Sequence, residues 1–269
     1  MSAVQTDIPA EAALLKRHGF DTVDGAFAFA GGEALTKPRL GSRERIRLSL
    51  AGDDGRPIVW YLKRYGADSW ATRLCRRIFG GAGAARREFE SICRLHAAGV
   101  PTMRAVAMGE APGAFGPGRG YLVVTSVPGE ALERCGEDFL ARHAGDAQAL
   151  DAFNDALADL ASGLHAAGFT HRDFYASHIF LDPTPEGPRL YLIDLARVFH
   201  PRWCRFRWRV KDLAQLKYSM PPAWVGEHWG RFLSSYLGRT GDGPEDRYTR
   251  AINAKVARMR RRQDRHDRR

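Results

Sequence analysis

Hydrophobic and polar residues alternate in two short segments near the N-terminus, with a turn sequence between them. The first segment, Arg45 to Leu50, alternates strictly, and the second, Ile58 to Leu62, is rich in β-branched and aromatic residues. Asp53-Asp54-Gly55 lies between them, and Asp-Gly is a strong turn signal. The pattern predicts a β-hairpin in which Lys63 ends the second strand on the same face as Tyr61.

Hydrophobic residues recur at helical spacing in two later segments. From Ala84 to Ala98 the apolar positions come at three-residue steps, and Gly99 and Pro101 end the predicted helix. An apolar stripe from Phe153 to Leu164 predicts a longer amphipathic helix that stops at Gly168. This second helix leads directly into a run of polar residues.

Two apolar runs predict buried strands. Tyr121 to Val127 is closed by Pro128-Gly129, and Leu190 to Leu195 is interrupted by Asp194. A carboxylate within a buried strand is costly unless it binds something, which makes Asp194 a candidate ligand. Glycine clusters are interpreted as turns or loops at Gly80 to Gly83, Gly109 to Gly120 and Gly241 to Gly243.

The C-terminal third is predicted to be helical. Lys211 to Leu237 has helical composition, with Pro221-Pro222 as a break. From Tyr248 onward, apolar residues on one side face arginines on the other, which predicts a basic amphipathic helix. The arginine-rich end, Arg258 to Arg269, has two interpretations, a membrane-surface anchor or a plain disordered tail.

Composition is that of a globular protein, with 44% hydrophobic and 27% charged residues. The formal net charge of +10 indicates an anionic partner, such as nucleic acid, phospholipid or an acidic substrate, or else an arginine-biased composition. The N-terminus lacks the basic start and apolar core of a signal peptide, and no apolar run approaches the roughly 20 residues that span a bilayer.

Four cysteines occur without a CxxC pair, which argues against a zinc knuckle or a disulfide framework and favours a reducing compartment: Cys75, Cys93, Cys135 and Cys204. We therefore expect a cytoplasmic protein that is at most peripheral on a membrane.

Phosphoryl transfer needs cations at the nucleotide phosphates, held metal ions and a carboxylate near the attacking hydroxyl. The strongest signal is His171-Arg172-Asp173, directly after a predicted helix and followed by Ile193-Asp194 at the separation typical of kinases. Asp173 is expected to orient the acceptor hydroxyl or accept its proton, and Asp194 to hold Mg²⁺. Lys63 is expected to contact the ATP phosphates, steadied by Glu88, with Glu90 as the alternative.

Other positions depart from the protein-kinase pattern. His178 stands where a protein kinase has asparagine, and we expect it either to ligate the metal or to form a structural hydrogen bond with Asp194. The glycine-rich GxGxxG loop is absent, and only Leu40-Gly41-Ser42-Arg43 precedes the first strand. Three residues are expected to line the nucleotide site: Tyr61, Thr125 and Val127.

The stretch from His171 to Leu181, HRDFYASHIFL, followed by LIDLAR from Leu192 to Arg197, resembles the lipopolysaccharide core heptose/Kdo kinases. Their pattern is HRDxYxxH and then IDLxR. Arg86-Arg87-Glu88-Phe89 and the segment Trp208 to Ala214 agree with it, so that the resemblance spans Trp60 to Ser219.

The resemblance implies an α+β fold of the protein-kinase-like bilobal type, with a small β-rich N-lobe and a mainly helical C-lobe. The whole chain, 1–269, would be one kinase-like domain with an N-lobe at about 20–125, a hinge at about 126–129, a C-lobe at about 130–250 and a basic tail at 251–269. It also implies ATP and Mg²⁺ as cofactors and an inner-core sugar hydroxyl, of heptose or Kdo, as acceptor at the cytoplasmic face of the inner membrane.

Carried over by position, the catalytic core is formed by Lys63, Glu88, Asp173, His178 and Asp194. His171 and Arg172 would support the catalytic loop, and Asp212 would brace it from a later helix unless it merely caps that helix. Ala196 stands where many members have histidine, which leaves the fine specificity open.

Asp212 follows Asp194 by eighteen residues, about half of what a protein kinase needs for an activation loop and peptide-docking segment. A basic stretch interleaved with aromatics, from Arg197 to Lys211, replaces that segment. It is interpreted as an acceptor surface, a nucleic-acid surface or a solvated loop with inward-packing aromatics. The candidate acceptor contacts are Arg197, Arg205, Arg207 and Arg209.

Three alternatives to a sugar kinase stay open at this point. A catalytically silent kinase-like scaffold would explain the missing glycine-rich loop and the change at His178, although Lys63, Asp173 and Asp194 together argue against it. The other two are a kinase for another small molecule or a protein, and a nucleic-acid-binding module. Nucleic acid is not the expected partner.

Overall fold

The computed structural model describes residues 4–6, 11–35, 43–52, 55–66, 82–113 and 116–267. The chain divides into two compact units, one comprising Met1–Arg94 and Met103–Ser126, the other comprising Leu95–Thr102 and Val127–Arg269. Within the described part of the chain, no helix is both long enough and apolar enough to cross a membrane. The first unit is rich in β-structure and the second is mainly helical, which confirms the predicted α+β fold class.

The first unit is built on an antiparallel sheet. Its strands are β1 (Val4–Thr6), β2 (Glu33–Ala34), β3 (Arg43–Ala51), β4 (Pro57–Tyr65), β5 (Ala105–Gly113) and β6 (Gly116–Thr125), in the spatial order β1-β5-β6-β4-β3-β2. Its helices are α1 (Ala12–Arg17), α2 (Val23–Ala28) and α3 (Ala84–Ala97), and the last three residues of α3 belong to the second unit.

β3 and β4 form the predicted hairpin, with each strand longer than the sequence pattern indicates. Alternation along β4 buries Trp60 and Leu62 completely, together with Leu15 and Phe20 from the N-terminal helical segment. Tyr61, on the opposite face, is half-buried. One face of the sheet thus packs on an apolar core, and the other presents Tyr61 and Lys63.

The glycine-rich stretch from Gly109 to Gly120 is not the loop predicted from its composition. Residues up to Gly113 belong to β5 and those from Gly116 belong to β6, and the two strands pair antiparallel. A Cβ atom at Gly109 would lie 2.5 Å from ring carbon Cε1 of the buried Tyr121, its cross-strand partner. Glycine makes room for a ring here, a use that composition does not distinguish from a turn.

The second unit combines a three-stranded antiparallel sheet with six α-helices in the described residues. The strands are β7 (Glu130–Ala131), β8 (Ile179–Thr184) and β9 (Gly187–Leu192). The helices are α4 (Leu132–Arg142), α5 (Ala147–Ala166), α6 (Arg205–Ser219), α7 (Pro222–Glu227), α8 (Trp229–Thr240) and α9 (Glu245–Asp267).

Helix α5 forms the predicted apolar stripe. Asp146 caps its N-terminus by accepting a hydrogen bond from the N–H of Ala149 at 3.0 Å. Phe153 and Leu164 mark the two ends of the buried stripe, and Gly168 ends the helical turn with a φ of +83°. The long helix therefore carries the chain across the second unit to the start of the polar loop, as predicted.

Two boundaries differ from the predictions. β9 ends at Leu192, so Asp194 lies just after the strand and not inside it. Helix α6 begins at Arg205 and turns most of the basic aromatic stretch into helix, ending before the break at Pro221-Pro222. Both differences arise because local backbone contacts, and not hydrophobicity, decide where the elements stop.

The basic amphipathic helix predicted near the C-terminus is present as α9. Tyr248, Ile252 and Val256 are buried along one side. The helix continues to Asp267, and its last two turns, from Arg260, are exposed. The interpretation of this end as a plain disordered tail is wrong for the residues that the structure describes.

Candidate active site

Lys63 and Glu88 form a buried ion pair in the first unit. Lys63 Nζ lies 2.5 Å from Glu88 Oε1, and both side chains are nearly fully buried. Tyr65 donates its hydroxyl to Oε2 of the same carboxylate. The strand does not end at Lys63 as predicted but continues to Tyr65, which places both side chains on one face. Glu88, and not Glu90, therefore orients the ammonium group of Lys63.

The residues expected to line the nucleotide site lie in the middle of β4, at the end of β6 and just after β6. Tyr61 is half-buried on β4. Thr125 is the last residue of β6, and its hydroxyl accepts a hydrogen bond from the N–H of Arg104 at 3.0 Å. Val127 is the first residue of the longer of the two chain segments that form the second unit. Leu40-Gly41-Ser42 lies outside the described residues, and the role of all these positions toward a nucleotide stays a prediction.

Asp212 holds the backbone of the catalytic loop in the second unit. Its fully buried carboxylate accepts hydrogen bonds from the N–H groups of His171 at 2.7 Å and Arg172 at 2.8 Å. Arg172 has a φ of 70°, which is uncommon for a residue other than glycine, and Lys211 donates to its carbonyl oxygen. Asp212 lies in the middle of a 15-residue helix, so it makes the predicted bracing contacts and does not cap the helix.

Two residues that sequence analysis did not assign complete this brace. His165 Nε2 lies 3.3 Å from Asp212 Oδ2, and its Nδ1 lies 2.8 Å from the hydroxyl of Tyr236. Because a carboxylate only accepts, Nε2 carries the proton, and the Tyr236 hydroxyl donates to Nδ1 of the neutral ring. His165 is one of three polar residues buried on α5, with Asn154 and Ser162, and it is the only titratable one of the three. A histidine beside the apolar stripe is a signal visible in the sequence, whereas no sequence pattern points to Tyr236.

His171 links the catalytic loop to the segment that carries Asp194. Its Nε2 lies 3.0 Å from the carbonyl oxygen of Ile193, so this nitrogen carries a proton. Burial lowers the pKa of His171, and the neighbouring carboxylate of Asp212 opposes that shift. A neutral, fully buried ring thus serves as a structural link, in keeping with the predicted supporting role.

Asp173 faces a cation rather than open solvent. Arg197 Nη1 lies 2.8 Å from Asp173 Oδ1, and the two side chains are 50% and 21% exposed. The backbone carbonyl of Asp173 accepts a hydrogen bond from His178 Nδ1 at 2.8 Å. Since Nδ1 is the donor, the neutral ring of His178 keeps its lone pair on Nε2.

Asp194 lies beside that lone pair. Its backbone is left-handed, with a φ of 58°, and its Oδ2 lies 3.9 Å from His178 Nε2. A carboxylate oxygen and an imidazole nitrogen at this separation can both ligate one cation between them. The described residues contain no cluster of three or more His, Cys, Asp or Glu side chains that could hold a metal. The pair of Asp194 and His178 fits Mg²⁺, which proteins usually bind through one or two carboxylates, with waters and substrate phosphates as the other ligands.

The four candidate acceptor arginines have different surroundings. Arg205 and Arg207 are exposed on the first turns of α6. Arg209 forms an ion pair with Asp242 and is largely buried. Arg197 contacts Asp173 directly. Arg209 is thus engaged within the fold, whereas Arg205 and Arg207 face the surface.

The aromatic residues of the basic stretch differ in whether they pack against other rings or are exposed. Phe206 packs against Tyr248, with ring centroids 4.9 Å apart, and Trp208 packs against Phe199 at 4.9 Å. Trp203 is 80% exposed. The solvated-loop interpretation is therefore wrong for residues from Arg205 onward, which are helical, although most of these aromatics do pack inward.

Known proteins match this chain over the segment that contains the candidate site residues. The model of the lipopolysaccharide kinase (Kdo/WaaP) family matches residues 45–236. The lipopolysaccharide core heptose(I) kinase WaaP of Pseudomonas aeruginosa is 36% identical over 161 residues, 58% of this chain and 60% of that protein. The corresponding WaaP of Escherichia coli is 33% identical over 141 residues, 50% of this chain and 52% of that protein. The matches thus span little more than half the length of these curated relatives.

Similarity to a solved structure covers nearly the whole chain. A structure of WaaP in complex with acyl carrier protein superimposes with a TM-score of 0.68 at 26% sequence identity, covering 98% of each chain. The fold shared with that protein therefore extends beyond the stretches matched in sequence.

Proposed function

We propose, from the premise that this chain belongs to the lipopolysaccharide kinase (Kdo/WaaP) family, that it transfers the γ-phosphate of ATP to a hydroxyl of an inner-core sugar of lipopolysaccharide. The acceptor is heptose or Kdo. Two curated relatives named as core heptose(I) kinases favour heptose. The same comparisons are consistent with the resemblance drawn from the HRDxYxxH and IDLxR motifs.

The observation that carries the proposal is that His178 lies between Asp173, on the braced catalytic loop, and Asp194, just after β9. Its Nδ1 donates to the Asp173 carbonyl at 2.8 Å, and its Nε2 lies 3.9 Å from the Asp194 carboxylate. Asp212 and His171 fix the backbone on either side. Phosphoryl transfer depends on positioning and on electrostatic stabilisation. Of the two carboxylates, Asp173 would position the acceptor hydroxyl, and Asp194 would hold the cation that neutralises phosphate charge.

The step is a displacement at phosphorus. The acceptor oxygen forms a bond to the γ-phosphorus, the bond from that phosphorus to the β,γ-bridging oxygen breaks, and ADP leaves with the electron pair. Asp173 orients the acceptor hydroxyl and takes its proton. In the first unit, Lys63, oriented by Glu88, binds the α- and β-phosphates. Asp194, with His178 as a weaker ligand, would hold Mg²⁺, which would supply positive charge to neutralise the phosphates.

A catalytically silent scaffold is the main alternative. Such a protein has no need for a buried lysine paired with a buried glutamate, since burying this ion pair costs desolvation energy that hydrophobic residues would avoid. Retention of the Lys63–Glu88 pair, together with the braced catalytic loop, favours an active enzyme.

The basic surface of α9 is suited to the anionic face of a membrane, where the acceptor is made. Burial, and the guanidinium groups of Arg258, Arg207 and Arg262, lower the pKa of Lys255 on this helix. Basic residues at an anionic surface contribute about 1 kcal/mol each, so a few suffice for reversible contact. We expect the protein to bind vesicles that contain anionic lipid more strongly than neutral vesicles, and less strongly at high salt.

The solved neighbour is a complex of WaaP with an acyl carrier protein, so such a protein is a second partner to test. Replacement of Arg258 and Arg262 by glutamine should weaken vesicle binding in a sedimentation assay. Retained vesicle binding, together with lost binding of an acyl carrier protein, would assign the same surface to the protein partner.

The test of the proposed activity is transfer of labelled γ-phosphate from Mg·ATP to a panel of dephosphorylated lipopolysaccharide cores. Wild type should label heptose or Kdo, and Asp173→Asn should abolish labelling while preserving the thermal midpoint. Asp138→Asn, at an exposed position on α4, is the matched control. Bound Mg·ATP without labelling of any core would redirect the search to another acceptor, and absence of nucleotide binding would favour the scaffold.

A further inference from the structure

Arg197 lies on a short turn that is tied to the catalytic loop at both ends. The turn Leu195–Arg197 directly follows Asp194. Before it, the N–H of Ile193 donates to the carbonyl oxygen of His178 at 3.0 Å. After it, Phe199 and Thr170 exchange two backbone hydrogen bonds, of 3.0 and 3.2 Å. The backbone of Arg197 is therefore held in place relative to the loop that carries Asp173.

The guanidinium of Arg197 is engaged with Asp173 but not buried. One N–H donor, on Nη1, contacts Asp173 Oδ1 at 2.8 Å, and half of the side-chain surface is exposed. A guanidinium has five N–H donors in a rigid fork that matches the geometry of phosphate oxygens. Contact with Oδ1 leaves Oδ2 of Asp173 as the oxygen for the acceptor hydroxyl.

The transferred group must pass close to this guanidinium. An acceptor hydroxyl served by Asp173 lies about 2.6–3.2 Å from its carboxylate. In a reactive arrangement the γ-phosphorus lies about 3–3.5 Å beyond that hydroxyl oxygen. A cation that contacts the same carboxylate, on a long and half-exposed side chain, can reach the phosphoryl oxygens by a change of rotamer.

Lys211, another basic residue near Asp173, contacts the backbone of the catalytic loop. Its ammonium group donates to the carbonyl oxygen of Arg172 and supports the strained backbone of the loop. Burial lowers the pKa of Lys211, while the carboxylates of Asp212 and Asp173 oppose the shift. Lys211 thus lies in the field of Asp173 but is engaged with the backbone, whereas Arg197 is in direct contact and partly exposed.

We propose that Arg197 is a catalytic residue that acts as an arginine finger supplied by the same chain, binding the γ-phosphoryl group during transfer and neutralising charge on its non-bridging oxygens. The proposal rests on the proposed kinase activity but not on the identity of the acceptor. It differs from an acceptor contact, because an acceptor-binding arginine would act on sugar affinity and not on the phosphoryl group.

The experiment compares Arg197→Ala and Arg197→Lys with wild type in two reactions, transfer to a lipopolysaccharide core and slow hydrolysis of Mg·ATP with water as acceptor. We expect Arg197→Ala to lower kcat about 100- to 1,000-fold in both reactions, and Arg197→Lys to lie between it and wild type. The KM for the core acceptor should change by less than about threefold, as for loss of an interaction made in the transition state. Added guanidinium ion should partly restore the alanine variant.

The matched control is Arg189→Ala, which removes an exposed arginine that pairs with Glu186 at the β8–β9 hairpin. It should leave both rates unchanged and show no response to guanidinium. Normal ATP hydrolysis by Arg197→Ala with a raised KM for the acceptor would overturn the proposal in favour of acceptor binding. Lost activity with a lowered thermal midpoint and no rescue by guanidinium would assign Arg197 a structural role. A wild-type protein inactive in both reactions would instead reject the kinase function, and this proposal with it.

Discussion

The backbone N–H of His171 donates a 2.7 Å hydrogen bond to the buried carboxylate of Asp212. The two residues are 41 positions apart in the chain. The bond therefore ties the catalytic loop to the middle of α6, an element formed much later in the sequence. Because Arg172 is held by the other oxygen of the same carboxylate, one side chain accepts hydrogen bonds from two consecutive N–H groups where the loop adopts its left-handed conformation.

Replacement of Asp212 by asparagine tests this dependence. The amide offers one accepting oxygen where the carboxylate offers two, so one buried N–H loses its partner. We expect Asp212→Asn to lower the free energy of unfolding by about 2–4 kcal/mol and to reduce kcat. Urea denaturation followed by tryptophan fluorescence measures the first effect. Asp138→Asn, exposed on α4, is the control, and equal stability of the two variants would contradict the bracing role.

The Lys63–Glu88 pair should show strong energetic coupling. Its side chains are 10% and 0% exposed, so loss of one partner leaves the other buried without its counter-charge. In a double-mutant cycle with Lys63→Met and Glu88→Gln, we expect a coupling energy of about 1–3 kcal/mol. The exposed pair Arg119–Asp24 should give less than about 1 kcal/mol. Similar coupling in both cycles would mean that burial does not strengthen the pair.

Stability should fall on mild acidification because of His171. Its pKa in the folded protein is lowered by burial from the model-peptide value of about 6.5. Below about pH 6.5 the unfolded chain binds a proton that the folded protein does not, so this contribution to stability is present above that pH and is lost as the pH falls toward the depressed value.

The measurement compares urea denaturation at pH 7.5 and pH 5.5 for wild type and His171→Gln. Glutamine retains an N–H donor for the carbonyl oxygen of Ile193 but does not titrate. The variant should lose less stability between the two pH values than wild type does. An equal loss in both proteins would show that other groups cause the pH dependence.

Three of the candidate acceptor arginines, Arg205, Arg207 and Arg209, should differ in their effects because their environments differ. Arg209 is paired with Asp242, so Arg209→Ala should lower the free energy of unfolding. The molecules of this variant that stay folded should have a nearly unchanged KM for the acceptor. Arg205→Ala and Arg207→Ala, at exposed positions, should raise the acceptor KM and leave stability within about 0.5 kcal/mol of wild type. Steady-state kinetics with a lipopolysaccharide core and thermal melts of the same samples provide both readouts. A raised acceptor KM in Arg209→Ala alone would reverse the assignment.

Sequence periodicity predicted several of the elements, because burial on one face of an element produces a regular spacing of apolar residues. The β3–β4 hairpin, helix α5 and helix α9 follow from the spacing of residues such as Trp60, Leu157 and Ile252. Composition was misleading at Gly109 to Gly120, where the glycines lie within strands and Gly109 leaves room for the Tyr121 ring. Composition records which residues are present but not which side chain approaches them.

The sequence by itself also predicted the chemistry, since a lysine, a glutamate and two aspartates occur in the order and spacing expected of a kinase. Only the tertiary structure decided how these groups are held. The Tyr65 contact to Glu88, the Tyr236–His165–Asp212 chain and the Arg197–Asp173 pair join residues from separate elements. Hydrogen bonds and ion pairs act over about 3 Å in space, and distance along the chain has no bearing on them once packing brings two elements together.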